Sequence, residues 1–134
     1  MEFDDVVLGR RSIRGFKPDA VPTPLIREVV GLATRAPSSM NTQPWYFHAV
    51  TGAALENIRR GNTERNLAGV PASREIRIHG DYQGIHRERQ KAIAVQLFDA
   101  MGIDWGDKER RHDWVMRGFR QFDAPVSIVV TFDK

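Results

Sequence analysis

Arg10, Arg11, Ser12 and Arg14 fall within the five residues "RRSIR". If this segment is extended, Arg10, Ser12 and Arg14 share one face, and Arg11 and Ile13 share the other. A face of Arg, Ser, Arg spans roughly 13 Å at strand rise. It could hold a phosphate at one end and a second electron-rich group at the other. Guanidinium suits the first task, because its planar fork matches phosphate oxygens in pairs. Taken alone, the same residues also fit a solvated basic turn.

A second polar cluster lies in "APSSMNTQPW", Ala36 to Trp45. Pro37 and Pro44 limit the backbone entropy lost on ordering this stretch. Ser38, Ser39 and Asn41 could offer side-chain and backbone donors to a planar polar heterocycle, and Trp45 can anchor the loop in the core. The alternative is a tight helix-to-strand connection in which Ser and Asn satisfy the loop's own backbone. An anion site and a heterocycle-edge site on one small chain together suggest a nucleotide-like cofactor.

Other chemistries find little support. Cysteine is absent, which removes disulfides, thiolate metal sites and Cys nucleophiles. His48, His79, His86 and His112 have no metal-ligand spacing, so no metal is expected. No G-x-S-x-G elbow, P-loop or G-x-G-x-x-G fingerprint occurs. Tyr82, Arg87 and Arg89 read either as the wet face of a helix or as a substrate entrance. Trp105 and Trp114 read as core or interface packing. The net charge is +3 and the sequence pI about 9.7, but basic residues are scattered among acids, as in "DWGDKERRHDW". An Arg-rich nucleic-acid binder is therefore a minor rival. No apolar run is long enough to span a bilayer, and the acidic start "MEFDDVV" is unlike a signal peptide, so a cytoplasmic protein is expected.

Elements must position the two clusters. The chain has 134 residues, of which 41% are hydrophobic and 28% charged, consistent with one domain over 1–134. Phe3 to Leu8 reads as a short helix with Phe3, Val6 and Val7 inward. Thr23 as N-cap and Pro24 at the first helical position open a helix with Leu25, Ile26, Val29, Val30 and Ala33 on one face. It must stop near Arg35, because Pro37 moves Ala36 out of the α region. "WYFHAV" reads as a strand, and Ala53 to about Leu67 as a helix with Thr51 as cap and Leu55 and Ile58 inward. Residues 68–81 read as irregular. Tyr82 to Met101 reads as a long helix with Ile85, Ala92, Ile93, Leu97, Phe98 and Met101 inward and Gly102 as its stop. Asp107 caps a further helix with Trp114, Val115 and Phe119 inward. "APVSIVVTFDK" reads as a strand covered on both faces. With "WYFHAV" it makes only two confident strands, fewer than a stable covered sheet needs.

"RRSIRGFKPDAVP" followed by "APSSMNTQPW", with an amphipathic helix between them, resembles the FMN-dependent nitroreductase family in order and spacing. "MGIDWGDKERRHDWVMRGFRQFDAPVSIVVTFDK" is similar to the middle of the branch that reduces nitroaromatic acids and related compounds. The resemblance implies an α+β fold of three layers, with a central, mostly antiparallel sheet flanked by helices. It also implies an intertwined homodimer with FMN at the interface. Arg10 and Ser12 would bind the FMN phosphate and ribityl region, with Arg11 supporting. Arg14 would lie near the pyrimidine side of the isoalloxazine, where a fixed cation stabilises the charge left by reduction. Pro37, Ser38, Ser39 and Asn41 would contact the flavin bound mainly by the other subunit. Asn62 and Arg65 match further flavin contacts only loosely, and a solvated helix end is the simpler reading.

The implied activity is ping-pong transfer of hydride equivalents from NAD(P)H to nitroaromatics, quinones or similar small acceptors. The flavin performs the redox chemistry, so no catalytic protein residue is expected. Family members are longer, with a core helix, further strands and more phosphate contacts after the final strand. The chain is therefore expected to be the first part of such a domain, truncated at its C-terminus. The rival within the family is a non-catalytic remnant that binds flavin weakly or not at all.

Overall fold

Proline placement and apolar spacing decide most of the elements, which the computed structural model describes for residues 2–73 and 81–132. In chain order these are α1 (Phe3–Gly9), α2 (Thr23–Ala33), a 3-10 turn (Ser39–Asn41), β1 (Trp45–Thr51), α3 (Gly52–Leu67), α4 (Gly84–Ala100), α5 (Lys108–Phe119), a second 3-10 turn (Gln121–Asp123) and β2 (Val126–Phe132). The chain is α+β, and β1 and β2 are antiparallel. His79 lies outside the described residues, as does the rest of 74–80. No described helix is long and apolar enough to cross a membrane.

The chain divides into two compact units, 1–60 with 121–134, and 61–120, the boundary falling within α3. In the first unit, β1 and β2 pair from Trp45 with Phe132 to Thr51 with Val126. His48 Nε2 meets the Thr131 hydroxyl at 3.0 Å across the ladder, a diagonal pair that adds to the backbone bonds. Leu55 of α3 is the buried anchor of this unit, at 1% exposure. Arg59, one turn further along α3, donates to the Glu56 carboxylate and to the Ala124 carbonyl. That second bond ties α3 to the segment entering β2.

In the second unit, Phe98, Ile103 and Met116 are buried. The Phe98 ring lies 6.0 Å from both Trp105 and Trp114, tilted against the first and edge-on to the second, within the favourable range for aromatic pairs. The Arg111 guanidinium stacks over Trp105 at 4.6 Å. Gly102 does stop α4. It sits at φ +62°, its N–H donates to Asp99 at 3.0 Å, and the Ile103 N–H donates to Phe98 at 2.9 Å. This is a Schellman closure, with Ile103 and Phe98 supplying its apolar contact. Asp107 caps α5 by accepting from the Arg110 N–H at 2.9 Å.

Three expectations need correction. Spacing makes Thr23 the cap of α2, but Pro22 occupies that position in extended backbone and no side chain caps the helix. Pro24 falls in the first turn, where its missing N–H costs no bond, so Thr23 joins the helix freely. Periodicity puts Phe3, Val6, Val7, Leu25, Val29, Ala33, Ile58, Ile85, Ala92, Ile93, Val115 and Phe119 inward, yet all are exposed. Periodicity identifies an apolar face but not whether anything lies against it. The strand β2 is not covered on both faces: Val130 and Phe132 are 54% and 61% exposed. Among the described residues each strand has one neighbour, so both are edges.

Replacing Leu55 by Ala should destabilise the first unit by about 2–5 kcal/mol, measured by urea denaturation. Replacing Gly102 by Ala should cost about 1–2 kcal/mol, because a Cβ is disfavoured at left-handed φ. An unchanged unfolding midpoint for either variant would contradict the packing described.

Candidate functional site

The Arg-rich segment is extended because α1 ends at Gly9 and Arg10 already adopts φ −57°, ψ 135°. Residues 10–22 form neither helix nor strand, and Arg10, Arg11, Ser12 and Arg14 are all exposed. Arg10 Nη1 donates to the Ser12 hydroxyl at 3.4 Å. Arg10 and Ser12, two of the three residues expected on one face, are therefore in contact. The Arg14 guanidinium lies over the Phe122 ring, 6.0 Å from its centroid.

The Ser38–Gln43 turn is built under strain. Met40, Asn41 and Gln43 have φ of 50°, 56° and 47°. Left-handed backbone costs an L-residue about 1–2 kcal/mol, with Asn the most tolerant. Local bonds offset this. The Ser38 hydroxyl accepts from the Gln43 N–H at 2.9 Å, and the Asn41 side-chain oxygen accepts from Gln43 Nε2 at 3.1 Å. The Thr42 hydroxyl donates to the Ser39 carbonyl at 3.0 Å. Ser38 thus satisfies loop backbone. Gln43 belongs to this network and escaped the sequence reading; its signal was a second amide two residues after Asn41. Pro37 and Ser39 are exposed, and Ser38 is half-buried. Trp45 is half-buried rather than deep in the core.

The hydrogen bonds just described are internal to each cluster. In chain order the Pro37–Asn41 turn precedes the Trp45 end of the ladder, and Phe122, which the Arg14 guanidinium overlies, precedes the Val126 end.

Two cavities occur in the same unit. One, of about 530 Å³, is lined in part by Val21, Ile26, Leu55, Arg59 and Asp123. The other, about 500 Å³, lies along α2 and β1 and is lined by Ile26, Val30 and Phe47 among others. Neither is lined by residues of the two polar clusters. Apart from the half-buried Ser38, the predicted residues of those clusters are exposed.

The residues present fit FMN. Paired guanidinium and hydroxyl donors match a phosphate dianion, and a turn rich in amide and hydroxyl donors matches the edge of a planar heterocycle. Asn62, loosely matched above to a flavin contact, instead donates to the Phe119 carbonyl at 3.3 Å. No group of three or more His, Asp or Glu suited to a metal occurs among the described residues.

Comparison with known proteins identifies the family. The chain is 36% identical to the nitrobenzene nitroreductase of Ectopseudomonas oleovorans over 98% of its own length and 59% of that protein. It is 34% identical to the chloronitrobenzene nitroreductase of Comamonas testosteroni, again over 98% of the chain and 59% of the relative. The chain therefore spans about three fifths of the length of these curated relatives. Among solved structures, the FMN-dependent nitroreductase NfnB from Mycobacterium smegmatis, in complex with NADPH, superposes with a TM-score of 0.85 at 29% identity. That likeness covers 96% of this chain and 58% of that one. Residues 7–134 match the Nitroreductase family, and the chain belongs to it.

Proposed function

We propose that this chain belongs to an FMN-dependent oxidoreductase that reduces nitroaromatics, quinones or similar acceptors with NAD(P)H. The observation that carries this reading is the Arg10–Ser12 donor pair together with the strained donor turn at Ser38–Gln43, in a chain of this family. The names of the relatives support it, since they are nitrobenzene and chloronitrobenzene nitroreductases, and a structural neighbour is described as FMN-dependent and holds NADPH.

Bound FMN would supply the redox chemistry: hydride acceptance from NAD(P)H and onward two-electron reduction of the acceptor. For a nitroarene the net change is ArNO2 + NAD(P)H + H+ → ArNO + NAD(P)+ + H2O, in which one N–O bond breaks and its oxygen leaves as water. Donor and acceptor would use the same open face in turn, giving ping-pong kinetics. The chain's own residues bind and orient. Arg10 and Ser12 hold the phosphate and ribityl region, with Arg11 adding positive charge. Arg14 directs a fixed cation at the pyrimidine edge, where negative charge accumulates on reduction. Pro37, Ser38, Ser39 and Asn41 serve the flavin held mainly by a partner subunit. No protein side chain is assigned proton or hydride transfer.

A homodimer with flavin at its interface follows from the same reading. On the family reading, Arg14 and the polar turn contact different flavins of a dimer. Two flavins, each shared between subunits, use both. The uncovered apolar residues of α1 and β2 also favour a partner surface. We place the assembly in the cytoplasm.

Two measurements test this. NADPH oxidation should accelerate when FMN and a quinone or nitrobenzene are added together; no flavin-dependent rate would overturn the assignment of activity. Arg10→Ala should weaken FMN binding about tenfold, as expected for a lost charge-assisted bond. Riboflavin, which lacks the phosphate, should bind the variant and the parent alike. Equal losses for both ligands would remove Arg10 from the phosphate site.

A further inference from the structure

The turn before β1 is fastened by a residue outside the set expected to contact flavin. Gln43 binds twice within it. Its backbone N–H donates to the Ser38 hydroxyl at 2.9 Å, and its side-chain Nε2 donates to Asn41 Oδ1 at 3.1 Å. Gln43 itself has φ 47°, although Pro44 follows it. A residue before proline ordinarily takes extended backbone, and left-handed φ is unfavourable wherever a Cβ is present. Such backbone persists where the surroundings over-determine it, and it recurs at functional sites. The two bonds from Gln43 reach two of the residues read above as flavin contacts, Ser38 and Asn41.

We infer that Gln43 is a positioning residue for Asn41: it holds the Asn41 oxygen, so that the nitrogen arm of that amide is the one a flavin carbonyl would meet. This rests on the reading that the turn contacts flavin. A carboxamide has two arms of nearly equal shape and opposite hydrogen-bonding sense, one accepting and one donating. Rotating the amide by half a turn exchanges them and would set oxygen against a ligand carbonyl. The Gln43 nitrogen can only donate, so it selects the Asn41 oxygen and disfavours the rotated form. The backbone does not need this bond. The Asn41 N–H donates to the Ser38 carbonyl at 3.0 Å and the Thr42 N–H to the Ser39 carbonyl at 3.1 Å. With the bond from the Gln43 N–H to Ser38, these close the turn whatever side chain stands at 43. The side-chain bond therefore acts on the orientation of Asn41. Asn41 is exposed, and an exposed amide that is already oriented loses less rotamer entropy when a ligand binds.

The test measures the affinity of the full chain for FMN and for riboflavin, which lacks the phosphate. Gln43→Glu replaces the donor by an acceptor of the same length, so Asn41 turns its nitrogen toward residue 43 and its oxygen toward the ligand. FMN affinity should fall about tenfold, the effect of one lost hydrogen bond with two acceptors left opposed. Riboflavin should lose the same factor, which separates amide orientation from repulsion between a carboxylate and the phosphate. Gln43→Met has similar length and no amide, so Asn41 samples both orientations and the loss should be only about threefold. The unfolding midpoints of both variants should match the parent, because the backbone bonds remain. In an Asn41→Ala background, Gln43→Glu should change riboflavin affinity by less than about twofold. If the parent binds neither ligand, or Asn41→Ala leaves both affinities unchanged, the turn does not meet flavin and the inference falls with that reading. If Asn41→Ala weakens binding but Gln43→Glu does not, or weakens FMN alone, or the two losses add in the double variant, only the role of Gln43 is overturned.

Discussion

The antiparallel register of β1 against β2 is the constraint on which the first unit depends. Trp45 pairs with Phe132 and Thr51 with Val126, joining segments more than seventy positions apart in sequence. Side chains alternate with period two along a strand, so a slip of one residue would reverse every face. It would also shift the turn before β2, and with it Phe122, away from Arg14. The ladder therefore decides more than backbone pairing. It also fixes where the turns that lead into β1 and β2 join the sheet.

Strain is concentrated where the ladder is entered. Among the described residues, the six non-glycine residues with positive φ lie in two short turns, Met40, Asn41 and Gln43 before β1, and Gln121, Phe122 and Asp123 before β2. Each turn adjoins a candidate flavin-contacting group. In the first, side-chain oxygens of Ser38 and Asn41 accept from Gln43 and offset the strain locally. In the second, support comes from Arg59 on α3. A binding surface built from exposed loops needs this kind of over-determination, because each ordered polar side chain loses rotamer entropy that the ligand must otherwise offset.

Much of this was legible from residue types. Pro37 ends α2 by restricting Ala36, Asp107 caps α5, and Gly102 closes α4, each through a local stereochemical rule. The two polar clusters were also legible, because paired Arg and Ser at alternate positions in an extended segment converge by geometry alone. Burial was not. The apolar stripes of α1, α4 and β2 mark faces meant for contact, but contact depends on surfaces remote in sequence or on another chain. The left-handed turn at Gln121–Asp123 was invisible for a different reason: no glycine marks it, and tertiary bonds such as that from Arg59 to the Ala124 carbonyl hold it. The link from Arg14 to Phe122 was hidden with it, since it spans most of the chain.

The most direct test of the flavin assignment is an absorbance spectrum of the purified chain after incubation with FMN and desalting. Retained bands at about 370 and 450 nm, those of bound oxidised flavin, are the expected result, and they would mean that Arg10–Arg14 and Pro37–Asn41 suffice to build a site. A colourless protein would contradict that claim.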